Sequence, residues 1–225
     1  MHPPSPHPIE NLIPYTFRNP QLLTLALTHP SASPTHTSHN QRLEYLGDAI
    51  LQFIVSAWLY ETLPHAPEGR LTSLRAALVN RHQLASWART LNLQHHLITD
   101  KKNSTIATQT TVLAAACEAL IGALYLDGGI PIAETFIRHH LQNINLEPLL
   151  THHNPKGLLQ EYLQKQKSPP PTYHLIQTDG PPHRRTYTVE VRYLGHTAQA
   201  TATSKKAAET AAARTALKTL GLLSD

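Results

Sequence analysis

The sequence predicts an all-α domain followed by an α+β domain of element order α-β-β-β-α. Three observations carry that prediction. Apolar residues recur at helical spacing through residues 10–150, and no strand alternation of any length precedes residue 155. Two polar, Pro-containing breaks, THHNPKG at 151–157 and SPPP at 168–171, interrupt the chain near the change of texture. Beyond them the period of the pattern switches from about 3.6 to about 2.

Taken in order, the opening MHPPSPHPIE is rich in Pro and His and lacks the basic-then-apolar pattern of a secretory signal, so residues 1–9 are expected to be a disordered lead-in. The helical domain is expected over 10–150. Its first helix is PQLLTLALTH, with Asn19 as N-cap and Pro20 at the first helical position. A Ser/Thr/Pro/His loop follows, then a long apolar helix from Gln41 to Glu61 that stops near Pro64. EGRLTSLRAALVNRHQLASWARTLNL holds two further helical patterns, and helical spacing returns over 111–126 and 132–146.

A linker at 151–155 leads to the second domain at 156–223. There a helix over 156–166 precedes three strands: TYHLIQ, RRTYTVEVRY and TAQATAT. In the second strand Tyr187, Val189, Val191 and Tyr193 alternate with polar residues, and in the third Ala198, Ala200 and Ala202 form a small-residue face. Leu194–Gly195–His196 is the turn between them. The Ala-rich helix from Lys205 to Leu220 is the expected partner of the small face.

Charge is uneven. Residues 1–153 hold nine Lys/Arg against ten Asp/Glu, whereas residues 154–225 hold ten against five, which points to the second domain as the polyanion-attracting half. The single cysteine, Cys117, excludes an internal disulfide framework and agrees with a reducing, cytoplasmic compartment. No uninterrupted apolar stretch suggests a membrane span. The sixteen histidines, including the adjacent pairs at 95–96, 139–140 and 152–153, follow no metal-ligand spacing and are read as compositional bias.

The chemistry-bearing stretch is HNQRLEYLGDAIL at 39–51. Glu44 and Asp48 stand four residues apart, so a helix places both carboxylates on one face. Such a like-charge pair destabilises an isolated helix by roughly 0.2–0.5 kcal/mol, a cost that a bound divalent cation offsets. Glu118 is the one charged residue of VLAAACEALIGALYL. A lone carboxylate in an apolar helix must be paired, coordinated or protonated, and Arg70 or Arg75 is the alternative to a metal.

Over twelve positions, NQRLEYLGDAIL resembles the signature of the ribonuclease III family, endonucleases that cut double-stranded RNA. The region of Glu118 is similar to the family's second acidic motif, and EGRLTSLRAALV to a further segment in which the position of Glu68 is acidic, a supporting acid. The resemblance implies Mg²⁺, with Mn²⁺ able to substitute, held by Glu44, Asp48 and Glu118, with Asp48 and Glu118 catalytic. It also implies hydrolysis to 5′-phosphate and 3′-hydroxyl ends in the processing of rRNA and mRNA precursors. A homodimer is implied too, with Tyr45 at its interface and one site per subunit cutting opposite strands. Two positions depart from the pattern. Gln41 stands where Glu is frequent, and Ala115 where the family carries a metal-binding Asp. Either the chain is an impaired member, or its Asp has been exchanged, or a neighbouring acid or water compensates. The rival reading is an inactive double-stranded-RNA-binding protein of the same fold.

GPPH at 180–183 and TSKKAAETAAA at 203–213 are similar to segments of double-stranded-RNA-binding domains. Lys205 and Lys206 open a helix, where unpaired N–H groups already favour phosphate. By resemblance they meet phosphates across the major groove, His183 reaches one minor groove, and Gln160 and Glu161 reach the other.

Overall fold

The structure, a computed structural model, describes residues 7–223 apart from 34, 36, 101–104, 143, 147–148 and 150–153. These residues divide into two compact units between Ile144 and Asn145.

Among the described residues the first unit contains six α-helices: α1 (Pro20–Leu27), α2 (Gln41–Thr62), α3 (Glu68–Leu78), α4 (Arg81–Thr90), α5 (Thr110–Gly128) and α6 (Ile130–Leu141). Local chemistry sets their ends. Asn19 caps α1 by accepting from Gln21 N, with Pro20 at the first position as expected. Asn80 separates α3 from α4: its Oδ1 accepts from the backbone N–H of both His82 and Gln83 at 3.0 Å. Gly129, at φ +79°, breaks α5 from α6, and α6 starts at Ile130, two residues earlier than the sequence pattern suggests, with Pro131 in its first turn. Among the described residues of this unit there are no strands, only an isolated bridge between Thr28 and Ile98.

α5 is the axis of the unit. Eleven of its residues are buried, and it packs against α1, α2, α4 and α6. By length and composition it could cross a membrane, but here its apolar surface is the core of a helical domain.

The crossing of α2 over α5 is made backbone to backbone. A Cβ added to Gly47 would lie 1.8 Å from the carbonyl oxygen of Glu118, and one added to Gly122 would lie 2.4 Å from that of Leu43. Glycine is required at both positions by this approach, not by backbone torsion.

The expected disordered lead-in over 1–9 is corrected at its end. Pro8–Asn11 forms a 3₁₀ turn with Ile9 fully buried. Glu10 holds it in place, its carboxylate accepting from His7 N at 2.6 Å and from Phe17 N at 2.7 Å. Residues 1–6 lie outside the described residues.

The second unit has the order α7 (Pro155–Lys165), β1 (Thr172–Asp179), β2 (Thr186–Tyr193), β3 (His196–Ala202) and α8 (Lys205–Thr219). The expected linker at 151–155 falls mostly outside the described residues, and its last residue, Pro155, already begins α7 behind the cap Asn154. The sheet is antiparallel with β2 in the centre. Leu159 and Leu163 of α7 and Ala212, Ala213, Ala216 and Leu217 of α8 close over Val191, Tyr193 and Ala198. Thus the small face of β3 does receive the Ala-rich helix.

The α2–α5 contact predicts the behaviour of two glycines. Gly47→Ala forces helix backbones apart and should destabilise the chain by about 3 kcal/mol or more. Gly69, on α3, has nothing within 4 Å of an added Cβ, so Gly69→Ala should stabilise by roughly 0.5–1 kcal/mol. Urea denaturation of the two variants measures both signs.

Candidate active site and nucleic-acid interface

Gly47 sits between Glu44 and Asp48 on α2, and the residue whose carbonyl it approaches is Glu118 on α5. The closest contact of the two helices therefore gathers the three acids. They line one open concavity of about 380 Å³ with Gln41 and Tyr45. A neighbouring hollow of about 160 Å³ shares Gln41 and Glu44 and is lined further by His29, Asn40, Thr111 and Ala115. Ala115 thus borders the site on the side of Glu44, where its methyl group offers no oxygen.

The three acids differ in their surroundings. Asp48 is held: Gln52 Nε2, one helical turn on, donates to both of its carboxylate oxygens at 3.0 Å. Among the described residues no hydrogen bond or ion pair holds the carboxylate of Glu44 or Glu118. Arg75, one alternative partner for Glu118, instead donates to Ser56 Oγ at 3.1 Å. Burial raises the Glu118 carboxyl to about 7, and the charges of Asp48 and Glu44 add to that. Burial also raises Glu44, with Asp48 contributing.

Among the described residues no three His, Cys, Asp or Glu side chains converge on a ready-formed metal position. The donor set of three oxygen acids on one open hollow fits a hard divalent cation. Glu68 is not in the hollow. It is exposed at the start of α3 and accepts from Thr72 Oγ1 at 2.7 Å. Tyr45, at the rim, is 82% exposed. Gln52 was not singled out from the sequence; the signal available was its i, i+4 spacing from an acid in the motif.

In the second unit Lys205 and Lys206 are exposed in the first turn of α8, which Ser204 caps by accepting from Ala207 N at 3.2 Å. Gln160 is exposed and Glu161 half-buried on α7, while His183 lies in the 3₁₀ turn Pro182–Arg184 between β1 and β2. α7 and α8 are tied together by Lys156, which bonds Glu209 at 2.6 Å and lies 4.5 Å from the centre of the Tyr173 ring.

Residues 19–144 match the family model described as Ribonuclease-III-like. The chain belongs to the ribonuclease III family. Residues 155–220 match the double-stranded RNA binding motif. The chain is 40% identical over 210 residues to Ribonuclease 3 of Ehrlichia canis (strain Jake), covering 91% of this chain and 93% of that one. It is 43% identical over 208 residues to Ribonuclease 3 of Chlorobaculum tepidum, covering 87% and 76%. The nuclease domain of ribonuclease III from Campylobacter jejuni, in a structure addressing flexibility of a region involved in dimer formation, superposes with a TM-score of 0.57 at 34% identity, over 60% of this chain and 94% of that chain. By family and architecture this is a ribonuclease III-type endoribonuclease chain, a helical nuclease domain followed by a double-stranded-RNA-binding domain.

The environment of Glu118 predicts a pH signature. Its folded pKa of about 7 lies above its ordinary 4.5, so the folded chain holds the extra proton in that window and loses stability as pH rises through it. Without divalent cation, Glu118→Gln should exceed the parent in stability at pH 8 by about 1–2 kcal/mol, allowing for screening of a partly exposed group. The difference should vanish at pH 4. Urea titrations in EDTA at the two pH values test this.

Proposed function

We propose that the chain is a Mg²⁺-dependent endoribonuclease that cuts double-stranded RNA to 5′-phosphate and 3′-hydroxyl ends, in the processing of rRNA and mRNA precursors in the cytoplasm. The observation that carries this reading is the meeting of Glu44, Asp48 and Glu118 on one hollow with, among the described residues, no cationic partner. These three would hold Mg²⁺, or Mn²⁺ in its place, and the cation supplies Lewis-acid polarisation of the scissile phosphate. Asp48 and Glu118 act as the catalytic acids of the set. Glu118 gives up its carboxyl proton when its oxygens are engaged, so binding releases a proton near neutral pH. Asp48, pinned by Gln52, keeps a fixed carboxylate orientation. The wide, open hollow suits a phosphodiester approached by water in line with its 3′ oxygen. Glu68 stands outside the hollow of its own subunit, and we assign it a supporting role on the flank.

The second unit supplies affinity for the duplex. Lys205 and Lys206 meet backbone phosphates at the N-terminus of α8, and Gln160, Glu161 and His183 face the minor grooves on either side. Tyr45, Phe53 and Tyr60 are 82%, 61% and 74% exposed. At their spacing they fall within about 80° on α2, an aromatic stripe that supports a homodimer with two sites for opposite strands and a short 3′ overhang.

One observation favours the second reading, a binder that does not cleave: Ala115 borders Glu44 with no carboxylate to offer. Ala115→Asp separates the two. It should raise cleavage of long duplex RNA in Mg²⁺ by roughly a hundredfold, with RNA affinity in Ca²⁺ unchanged, and the gain should disappear when Glu44, Asp48 or Glu118 is also changed to Ala. A variant that cuts no better than its parent favours the binder.

Tyr45→Glu places a charge in the proposed interface and should convert the dimer to a monomer at micromolar concentration. Sedimentation velocity checks this, and a parent chain that is itself monomeric removes the paired-cut arrangement.

A further inference from the structure

We infer that Gln52 is a positioning residue for the acid cluster: its side-chain amide fixes the Asp48 carboxylate in the orientation that receives a divalent cation. This rests on the metal reading above and names a residue outside the acid set.

Gln52 Nε2 lies 3.0 Å from both Asp48 oxygens, so one N–H₂ group spans the carboxylate. An ionised carboxylate offers about four acceptor sites, two per oxygen. Gln52 occupies at most one on each oxygen, and the others remain for a cation. Among the described residues Asp48 is the one acid of the three with any such tether.

The helix segment that carries the tether is braced against α3. The backbone carbonyl of Gln52 accepts from Ser56 Oγ at 2.6 Å, and Arg75 Nη1 of α3 donates to that same Oγ at 3.1 Å. Gln52 is half-buried, so its side chain has less freedom than that of a solvated Asp–Gln pair on an open helix surface. Ala115 makes the role more demanding. With no oxygen from that position, three carboxylates are left on the hollow, and among the described residues two of them are untethered.

Calorimetric titration of the full chain with Mg²⁺ and with Mn²⁺, in the absence of RNA, tests the role. Gln52→Leu should weaken cation affinity by about 10–100-fold, the range for groups that orient metal ligands. Gln52→Met, unbranched and of similar length, should show the same loss, which covers the case of a Leu variant that folds poorly. Ser56→Ala leaves the amide in place and should lose less than either. Duplex-RNA affinity by gel shift without divalent cation should match the parent in all three. At saturating RNA, cleavage by Gln52→Leu should recover as Mg²⁺ is raised, with KM for RNA unchanged. A parent that binds Mg²⁺ beside a Gln52→Met variant that binds it equally well overturns the role of Gln52 alone. A Ser56→Ala loss as large as that of Gln52→Leu also overturns it, by assigning the effect to helix packing. A parent that binds neither cation overturns the metal reading, and this role with it.

Discussion

Two glycines, Gly47 and Gly122, let α2 and α5 touch through their backbones, and the geometry of the acids depends on that contact. With side chains at these positions the helices would stand at an ordinary separation of about 8–10 Å. Instead, Gly47 faces the Glu118 carbonyl and Gly122 faces that of Leu43. Glu44 and Asp48 flank one glycine in sequence, and Glu118 lies one turn before the other. The acids are therefore brought together as a consequence of how the core is packed. The apolar length of α5, buried against four helices, holds the crossing in place.

That arrangement costs stability, and the cost falls unequally. Glu118 and Glu44 are pushed toward the protonated form by burial and by their neighbours. Folding does not produce such a cluster for its own benefit, because an apolar residue at Glu118 would pack against the same neighbours without the desolvation penalty. Unpaired acids gathered in a hollow are what a cation-dependent site requires before its cation arrives. Ala115 relieves part of the repulsion that a fourth carboxylate would add. An Asp at position 115 would add an oxygen to the site and, without a cation, a further charge for folding to accommodate.

Much of this was legible in the sequence, for reasons that differ by element. Glu44 and Asp48 could be placed on one face because helix periodicity is local. Glu118 stood out because a single charge in an apolar helix has few explanations. The match of Ala198 to the Ala-rich α8 was legible as complementary small faces, and the packed cluster contains both. What escaped was the tertiary part. Ile9 reads as one apolar residue in a Pro/His tract, and its burial depends on Glu10 reaching Phe17, seven residues away. Glu190 alternates onto the polar face of β2 yet is 9% exposed, because Arg192 and Gln199 close over it at 2.9 Å each. Gln52 looks like an ordinary polar residue on a helix until its partner Asp48 is known.

In the second unit the packing has a direct bearing on recognition. A-form duplexes are read largely by the spacing of grooves and phosphates, so a reader must hold its contact points at fixed separations. Gln160 and Glu161 ride on α7, and Lys205 and Lys206 on α8. Leu159 and Leu163 sink α7 into the same core that receives Ala212, Ala213 and Ala216 of α8. Lys156 then binds Glu209 across the two helices and lies over Tyr173 of β1, whose phenol burial and the nearby Glu209 raise to about 12. Alanine on α8 matters here for its size, since it lets the helix lie close to the sheet with little side-chain freedom to spare. A longer residue at position 212 or 213 would lift α8 and shift both lysines relative to α7. In the proposed reading, the separation of the contact points is therefore set by buried residues of the core.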